Sequence, residues 1–215
     1  MPADTPPEDW HRPALDACAA AIAAHADELT ELDAAIGDGD HGTNLKRGFD
    51  AVATEAGTLA ALPTGQMLQR AGTTLANKVG GASGALYGSL FMMMGKHLGE
   101  RPLDPDTLAE AFGQGVEMVK KRGRADAGEK TLLDVLVPVH AELQTAVSEG
   151  TRTPAELARR LRRRADDGLE STRAMTAAKG RASYLGERSA GHLDPGARSA
   201  CLLIATLAEL AEQGS

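Results

Sequence analysis

The chain has 215 residues and a mass of 22.3 kDa, enough for one domain with a buried core. Its 23 Lys and Arg and 30 Asp and Glu are mixed along the sequence, and a net charge of -7 argues against a nucleic-acid or anionic-membrane partner. The longest apolar stretches, 85–94 and 201–208, are too short for a membrane span, and residues 1–9 lack the pattern of a secretion signal. We therefore expect a cytoplasmic protein.

The composition and the spacing of apolar residues predict an all-helical fold. The sequence contains 39 Ala but only 8 Val and 3 Ile, so residues that favour strands are scarce. Apolar residues recur at helical spacing in eight segments, which we expect to form an antiparallel bundle or barrel. The segments are 13–32, 45–59, 64–75, 85–98, 105–119, 131–147, one starting at Thr153 and one following Asp194, Pro195 and Gly196. A single domain over residues 13–215 is predicted, preceded by a flexible segment, 1–12.

Four predicted loops are rich in Gly and in charged or hydroxyl residues, which favours a functional site there. They lie near residues 33–44, 78–84, 122–130 and 179–196. The first loop places three aspartates, Asp33, Asp38 and Asp40, beside several glycines. Oxygen ligands this close in sequence suit Mg²⁺ or Ca²⁺, and the spacing excludes an EF-hand because no Glu follows at its twelfth position. An acidic turn that caps the neighbouring helices is the alternative to a metal site.

The other three loops suggest contacts to an anion. Residues 80–84 precede a helix, where free amides and the helix dipole favour a phosphate, although glycines also permit close helix packing. Residues 123–131 resemble a P-loop only partly, since Glu129 stands between the glycine and the lysine and the preceding segment is helical. In the last loop Arg181 suits a phosphate, while Asp194 is equally compatible with a helix N-cap. No catalytic nucleophile stands out.

Four motifs in this order resemble the nucleotide-binding L subunits of dihydroxyacetone kinases, the DhaL family. The motifs are residues 37–44, 80–84, 130–135 and 179–188, and the resemblance extends over nearly the whole chain. It implies an eight-helix barrel that holds an adenine nucleotide, ADP or ATP, through two Mg²⁺ ions in the loops at one end. By this resemblance the Mg²⁺ ligands are Asp33, Asp38 and Asp40. The implied nucleotide contacts are His41, Gly42, Thr43, Asn44, Ala82, Ser83, Gly123, Leu132, Arg181, Asp194, Pro195 and Gly196.

The resemblance also implies a reaction and its partners. The expected reaction is metal-assisted phosphoryl transfer, which needs no protein nucleophile, to dihydroxyacetone held on a separate K subunit. Because the chain is not fused to a K domain, we expect ADP to be a fixed coenzyme that a phosphohistidine M subunit of the phosphotransferase system rephosphorylates. The alternatives are an ATP-exchanging subunit of a dihydroxyacetone or tetrulose kinase, and a non-catalytic nucleotide sensor.

Overall fold

The computed structural model describes residues 10–213, which contain ten α-helices, two 3₁₀ segments and no strand. The α-helices are α1 His11–Ala24, α2 Ala26–Ile36, α3 His41–Thr54, α4 Ala56–Ala60, α5 Thr64–Lys78, α6 Gly81–Leu98, α7 Pro105–Gly123, α8 Leu133–Ser148, α9 Pro154–Ser171 and α10 Pro195–Gln213. The 3₁₀ segments are Thr172–Ala174 and Arg181–Ser189, both between α9 and α10. The all-helical prediction is confirmed.

The helices close into a ring of eight rods, because α1 with α2 and α3 with α4 each act as one rod. Around the ring, α1 packs on α3, α3 on α5, and α5 to α10 follow in chain order until α10 returns to α1. Most connections are short, so successive rods run in opposite directions. Buried Leu, Val, Ala and Met side chains from all the rods fill the interior. The predicted eight-helix barrel is therefore confirmed.

Two of the eight predicted helices contain a one-residue interruption. The first is interrupted at His25, whose φ of -107° and ψ of 12° are not helical, and extends to Ile36 instead of ending at residue 32. The second is interrupted at Glu55. The amide of each interrupting residue still donates to a carbonyl one turn earlier, so both rods stay continuous. Periodicity does not detect such breaks, because the apolar stripe continues through them.

The predicted flexible segment, 1–12, lies largely outside the described residues, since residues 1–9 are not part of the description. Its last two residues differ from the prediction, because α1 begins at His11. The His11 ring is buried, with Nδ1 3.2 Å from the Ala60 carbonyl oxygen and Nε2 3.0 Å from Thr64 Oγ1. These contacts attach the start of α1 to α4 and α5.

A ladder of glycines brings α5 and α6 unusually close together. A Cβ placed on Gly72 would lie 2.7 Å from the Gly88 carbonyl oxygen, and one on Gly95 would lie 2.3 Å from the Gly65 carbonyl oxygen. Glycines repeat every seven residues on each helix, so these positions fall on one face. The close contact holds the start of α6 directly beside the end of α5.

In the described part of the chain, no helix is long and apolar enough to cross a membrane.

All four loops that the sequence singled out meet at one end of the barrel. Four helices begin there, α3, α6, α8 and α10, while α2, α5, α7 and α9 end there. We call this end the rim, formed by residues 37–40, 79–80, 124–132 and 172–194. Because helix N-termini present free amides and a positive dipole end, the rim is a favourable place for an anion.

Candidate functional site

Three carboxylates converge at the rim between α2 and α3. Asp33 lies in the last turn of α2, and Asp38 and Asp40 lie in the loop that follows. One ligand oxygen of each residue lies within 4.8 Å of those of the other two. Gly39 turns the loop with a φ of +71°, a conformation that favours glycine. The structure thus brings together the three predicted metal ligands.

The capping alternative accounts for only one of these three aspartates. Asp33 Oδ2 accepts the backbone amides of Asp40 at 2.9 Å and His41 at 3.2 Å, so Asp33 does cap the start of α3. Asp40 occupies the N-cap position of α3 but makes no side-chain capping bond. Asp38 pairs with Arg181 instead, with 2.9 Å between Oδ2 and Nε. Two exposed carboxylates therefore remain beside Asp33, and an all-oxygen set of this kind fits a hard cation such as Mg²⁺.

A buried hydrogen-bonded network joins the starts of three helices directly beside the carboxylates. His41 Nδ1 lies 3.0 Å from Ser83 Oγ on α6, and His41 Nε2 lies 3.0 Å from Ser199 Oγ on α10. The Tyr87 hydroxyl extends the network, 2.7 Å from Ser199 Oγ. Burial lowers the pKa of His41, which favours the neutral imidazole. The network fixes two predicted nucleotide contacts, His41 and Ser83, relative to each other.

Sequence reasoning missed Ser199 and Tyr87. A signal was available, because both are polar residues within predicted apolar helical segments, and Tyr87 lies one turn after Ser83. A buried hydroxyl requires a hydrogen-bond partner, so such residues point to a polar network inside the barrel.

The other predicted contacts of α3 differ in their surroundings. Asn44 is buried, and its Oδ1 accepts a 2.8 Å bond from Arg47, whose Nε donates to the Lys78 carbonyl oxygen at the end of α5. A Cβ on Gly42 would lie 1.9 Å from the Ala26 carbonyl oxygen, so this glycine lets α3 approach α2. Thr43 is exposed at the rim.

The glycine-rich motif at the start of α6 contains glycines of two kinds. A Cβ on Gly84 would lie 2.3 Å from the Val79 carbonyl oxygen, so Gly84 serves packing. Gly81 has a φ of +66° and faces open space. Gly80 precedes the helix without a side-chain cap, and Ala82 in the first turn is exposed. The motif therefore serves both packing and the exposure of backbone amides.

The loop between α7 and α8 is not a P-loop, because it follows a helix. Asp134 orders this loop by accepting the backbone amides of Gly128 at 2.5 Å and Thr131 at 2.7 Å. Leu132 is buried beside the start of α10, where a Cβ on Gly196 would lie 3.4 Å from the Leu132 amide nitrogen. Gly123 ends α7, and a Cβ there would meet only ordinary contacts at 3.6 Å or more. Packing within the described chain therefore does not require this glycine.

The last loop supplies one exposed cation and one buried acid. The Arg181 side chain is 70% exposed although it pairs with Asp38. Asp194 is buried and its Oδ2 accepts the Ala197 amide at 2.7 Å, which makes it the N-cap of α10, with Pro195 as the first helical residue. Burial raises the pKa of Asp194 to about 7, while the bond from Ala197 acts in the opposite direction. The predicted site residues thus lie in the segments of the rim or in the helix turns that adjoin them.

Comparison with known proteins shows the family to which this chain belongs. Residues 35–209 match the family model of the DAK2 domain. The chain belongs to the DAK2 domain family. Among its relatives is the ADP-binding subunit DhaL of the PEP-dependent dihydroxyacetone kinase of Escherichia coli, 39% identical over 200 residues that cover 93% of this chain and 95% of that protein. DhaL of PEP-dependent dihydroxyacetone kinase 1 from Listeria innocua is also 39% identical, covering 91% of this chain and 93% of that protein. The resemblance to DhaL is confirmed, and these DAK2 relatives are subunits of transferases.

The DAK2 domain also occurs within longer proteins. The D-erythrulose kinase of Mycolicibacterium smegmatis is 36% identical, and the match covers 91% of this chain but 34% of that protein. The crystal structure of the dihydroxyacetone kinase of C. freundii superposes with a TM-score of 0.74 at 23% identity, covering 94% of this chain and 34% of that one. A second structure of that kinase, in complex with AMP-PNP and Mg²⁺, has a TM-score of 0.71. These structures confirm the fold of the DAK2 domain.

Proposed function

We propose that this protein is the ADP-binding L subunit of a dihydroxyacetone kinase. In this role it transfers a phosphoryl group from a Mg²⁺-bound adenine nucleotide to dihydroxyacetone held on a K subunit. The observation that carries the proposal is the convergence of Asp33, Asp38 and Asp40 at a rim where four helices begin. Carboxylates hold divalent cations and helix N-termini hold phosphates, so their proximity suits a metal-bound polyphosphate.

Each group at the rim then has a defined task. In our proposal the three aspartates hold two Mg²⁺ ions. When bound, these ions would neutralise the charge of the phosphate oxygens and the charge that develops on the transferred group. The exposed amides at the start of α6, near Ala82 and Ser83, bind phosphate oxygens. Arg181 supplies a further positive charge from the last loop. Catalysis consists of positioning and electrostatics, which explains why the chain needs no nucleophile.

The remaining rim residues are proposed to bind the nucleoside. Leu132 provides an apolar surface for the base, and Gly123 leaves room beside it. His41, Gly42, Thr43 and Asn44 bind the nucleotide next to the metal ligands, and Asp194, Pro195 and Gly196 border it at the start of α10. The His41 ring is held by hydrogen bonds with Ser83 and Ser199, so its orientation is set before the ligand binds.

For the source of the phosphoryl group we propose the fixed-coenzyme mode, in which ADP stays bound and a phosphohistidine M subunit rephosphorylates it. The names of the two DhaL relatives, both subunits of PEP-dependent kinases, support this mode. The match to a D-erythrulose kinase supports a second candidate, an ATP-exchanging subunit of a tetrulose kinase. The two differ in whether the nucleotide leaves after each turnover.

The first experiment measures what the protein carries. The protein is purified without added nucleotide and denatured, and the released ADP and Mg²⁺ are quantified. We expect about one ADP per chain with bound Mg²⁺, and loss of both in Asp38→Asn. Asp50→Asn is the matched control, because Asp50 pairs with Lys46 on the surface of α3.

The other outcomes decide between the alternatives. If nothing is released but ATP with Mg²⁺ raises the melting temperature, the ATP-exchanging mode replaces the fixed coenzyme. If neither nucleotide binds in the presence of Mg²⁺, the proposed function is wrong. A phosphoryl-transfer assay with a dihydroxyacetone-loaded K subunit separates a kinase subunit from a nucleotide sensor, which would bind nucleotide without transfer.

A further inference from the structure

Lys130 has surroundings that the proposed chemistry does not use. Among the described residues it is the one Lys or Arg with a buried side chain, 1% exposed. It lies in the loop before α8 and adopts a φ of +60°, which is unusual for a residue with a side chain. Burial of an ammonium group is costly unless its hydrogen bonds and charge are satisfied. The cost of burying the Lys130 ammonium group therefore has to be offset by the hydrogen bonds and charges around it.

The ammonium group joins two distant points of the chain. Lys130 Nζ donates to the carbonyl oxygens of Thr172 and His192, each at 2.5 Å. Thr172 follows the end of α9 and His192 precedes the start of α10, so the two carbonyls flank residues 173–191. We call residues 173–191 the arginine loop, because it carries Arg181. One side chain thus ties both ends of the loop to the α7–α8 connection.

Further bonds strengthen the same attachment. The Gly191 amide donates to the Arg173 carbonyl oxygen at 2.7 Å, which closes the loop at its base. The Ala178 amide donates to the carbonyl oxygen of Glu129, the neighbour of Lys130, at 3.2 Å. Within the loop, Gly180 and Gly186 have positive φ and open space around them. Inside the loop, the Ala177 amide donates to the buried Ser189 hydroxyl at 2.8 Å and Lys179 pairs with Glu129. The bonds of Lys130 add the restraint that joins the two ends of the loop, and with it they help to set where Arg181 lies.

Two carboxylates balance the charge of Lys130. Burial lowers the pKa of its ammonium group, and the negative charges of Asp194 and Asp134 act in the opposite direction. Asp194 caps α10 and Asp134 orders the loop before α8, so the ammonium group lies among groups that shape the rim. Loss of the ammonium would leave the buried Thr172 carbonyl without its bond from Lys130 and would also remove the bond to the His192 carbonyl.

We propose that Lys130 is a positioning residue of the nucleotide site, which holds both ends of the arginine loop so that Arg181 points to the phosphates beside Asp38. This inference rests on the proposed function. Lys130 does not touch the nucleotide and acts through Arg181. Removing either residue therefore removes the same contribution to nucleotide binding.

The test measures ADP affinity in the presence of Mg²⁺ by calorimetry for Lys130→Met, Arg181→Ala and the double variant. We expect each single variant to bind ADP on the order of tenfold more weakly, because a charge-assisted contact is lost. The double variant should bind no more weakly than Arg181→Ala alone, because residues that act through one another are not additive. Lys96→Met is the matched control, since Lys96 is exposed near the opposite end of α6.

Other results overturn the inference. Unchanged ADP affinity in a folded Lys130→Met, or losses that add in the double variant, would show that Lys130 only stabilises the fold. If Lys130→Met does not fold, Lys130→Gln replaces it, because it removes the charge but keeps a polar donor near the two carbonyls. Additive losses for Lys130→Gln and Arg181→Ala would equally refute the inference. If wild-type protein binds no ADP, the proposed function itself fails, which is a distinct result.

Discussion

The close packing of α5 on α6 makes a quantitative prediction for Gly72→Ala. The new Cβ would lie 2.7 Å from two backbone atoms of α6, the Gly88 carbonyl oxygen and the Met92 amide nitrogen. Ordinary contacts begin near 3.4 Å, so the two helices would have to separate by several tenths of an ångström. Backbone atoms cannot rotate away, and overpacking of this kind costs about 1–3 kcal/mol.

Helix propensity offsets part of this cost. Replacing glycine by alanine within a helix gains about 1 kcal/mol. We therefore expect Gly72→Ala to lower the free energy of unfolding by up to about 2 kcal/mol. The assay is urea unfolding followed by circular dichroism. The slope of the free energy of unfolding against urea concentration should be the same for wild type and Gly72→Ala, so that their midpoints compare stability directly.

Gly57→Ala is the matched control for this prediction. Gly57 also lies in a helix, α4, but a Cβ there would meet only Arg12 Nη1 at 3.6 Å. This variant should keep the propensity gain and be as stable as wild type or more so. A Gly72→Ala protein as stable as Gly57→Ala would refute the close approach of α5 and α6.

Three further predictions concern the rim. Asp194→Asn should gain stability relative to wild type as the pH rises from about 4 to 7, by up to about 1.4 kcal/mol per pH unit. The reason is that the pKa of the Asp194 carboxyl is about 7 in the folded protein and lower in the unfolded chain, so wild type alone loses stability in this range. Urea unfolding at pH 5 and pH 7 measures the difference. Ser199→Ala should lower the free energy of unfolding by about 1–3 kcal/mol, because His41 and Tyr87 lose a buried partner. Chelation by EDTA should weaken ADP binding, measured by calorimetry, and excess Mg²⁺ should restore it.

Each of these predictions has a contradicting outcome. An equal stability difference between Asp194→Asn and wild type at both pH values would mean that the Asp194 carboxyl is already ionised in the folded protein at pH 5, so that burial does not raise its pKa. Thr206→Ala is the control for Ser199→Ala, since the Thr206 hydroxyl bonds only its own helix, to the Leu202 carbonyl oxygen. If that control is destabilised equally, the network has no special role. ADP affinity that is indifferent to EDTA would contradict the metal site.

The helical class, the eight rods and the acidic motif were accessible from sequence because they depend on local information. Apolar residues at steps of three and four define one buried face of each helix, whatever its neighbours are. Glycines and aspartates that follow one another in residues 33–44 limit the chain to a tight, oxygen-rich turn. The sequence could thus identify these loops as candidates for a site, and the match of residues 35–209 to the DAK2 domain agrees with the family that their motifs indicated.

Only the tertiary structure decided which residues of different loops meet. Arg181 reaches Asp38 across 143 positions of sequence, and Lys130 joins Thr172 to His192, because ring closure brings the ends of α2, α7 and α9 to one rim. Such contacts depend on long-range packing, which no local periodicity encodes. The sequence by itself therefore determined the helices and the candidate ligands, while the closed ring of rods determined the site that they form.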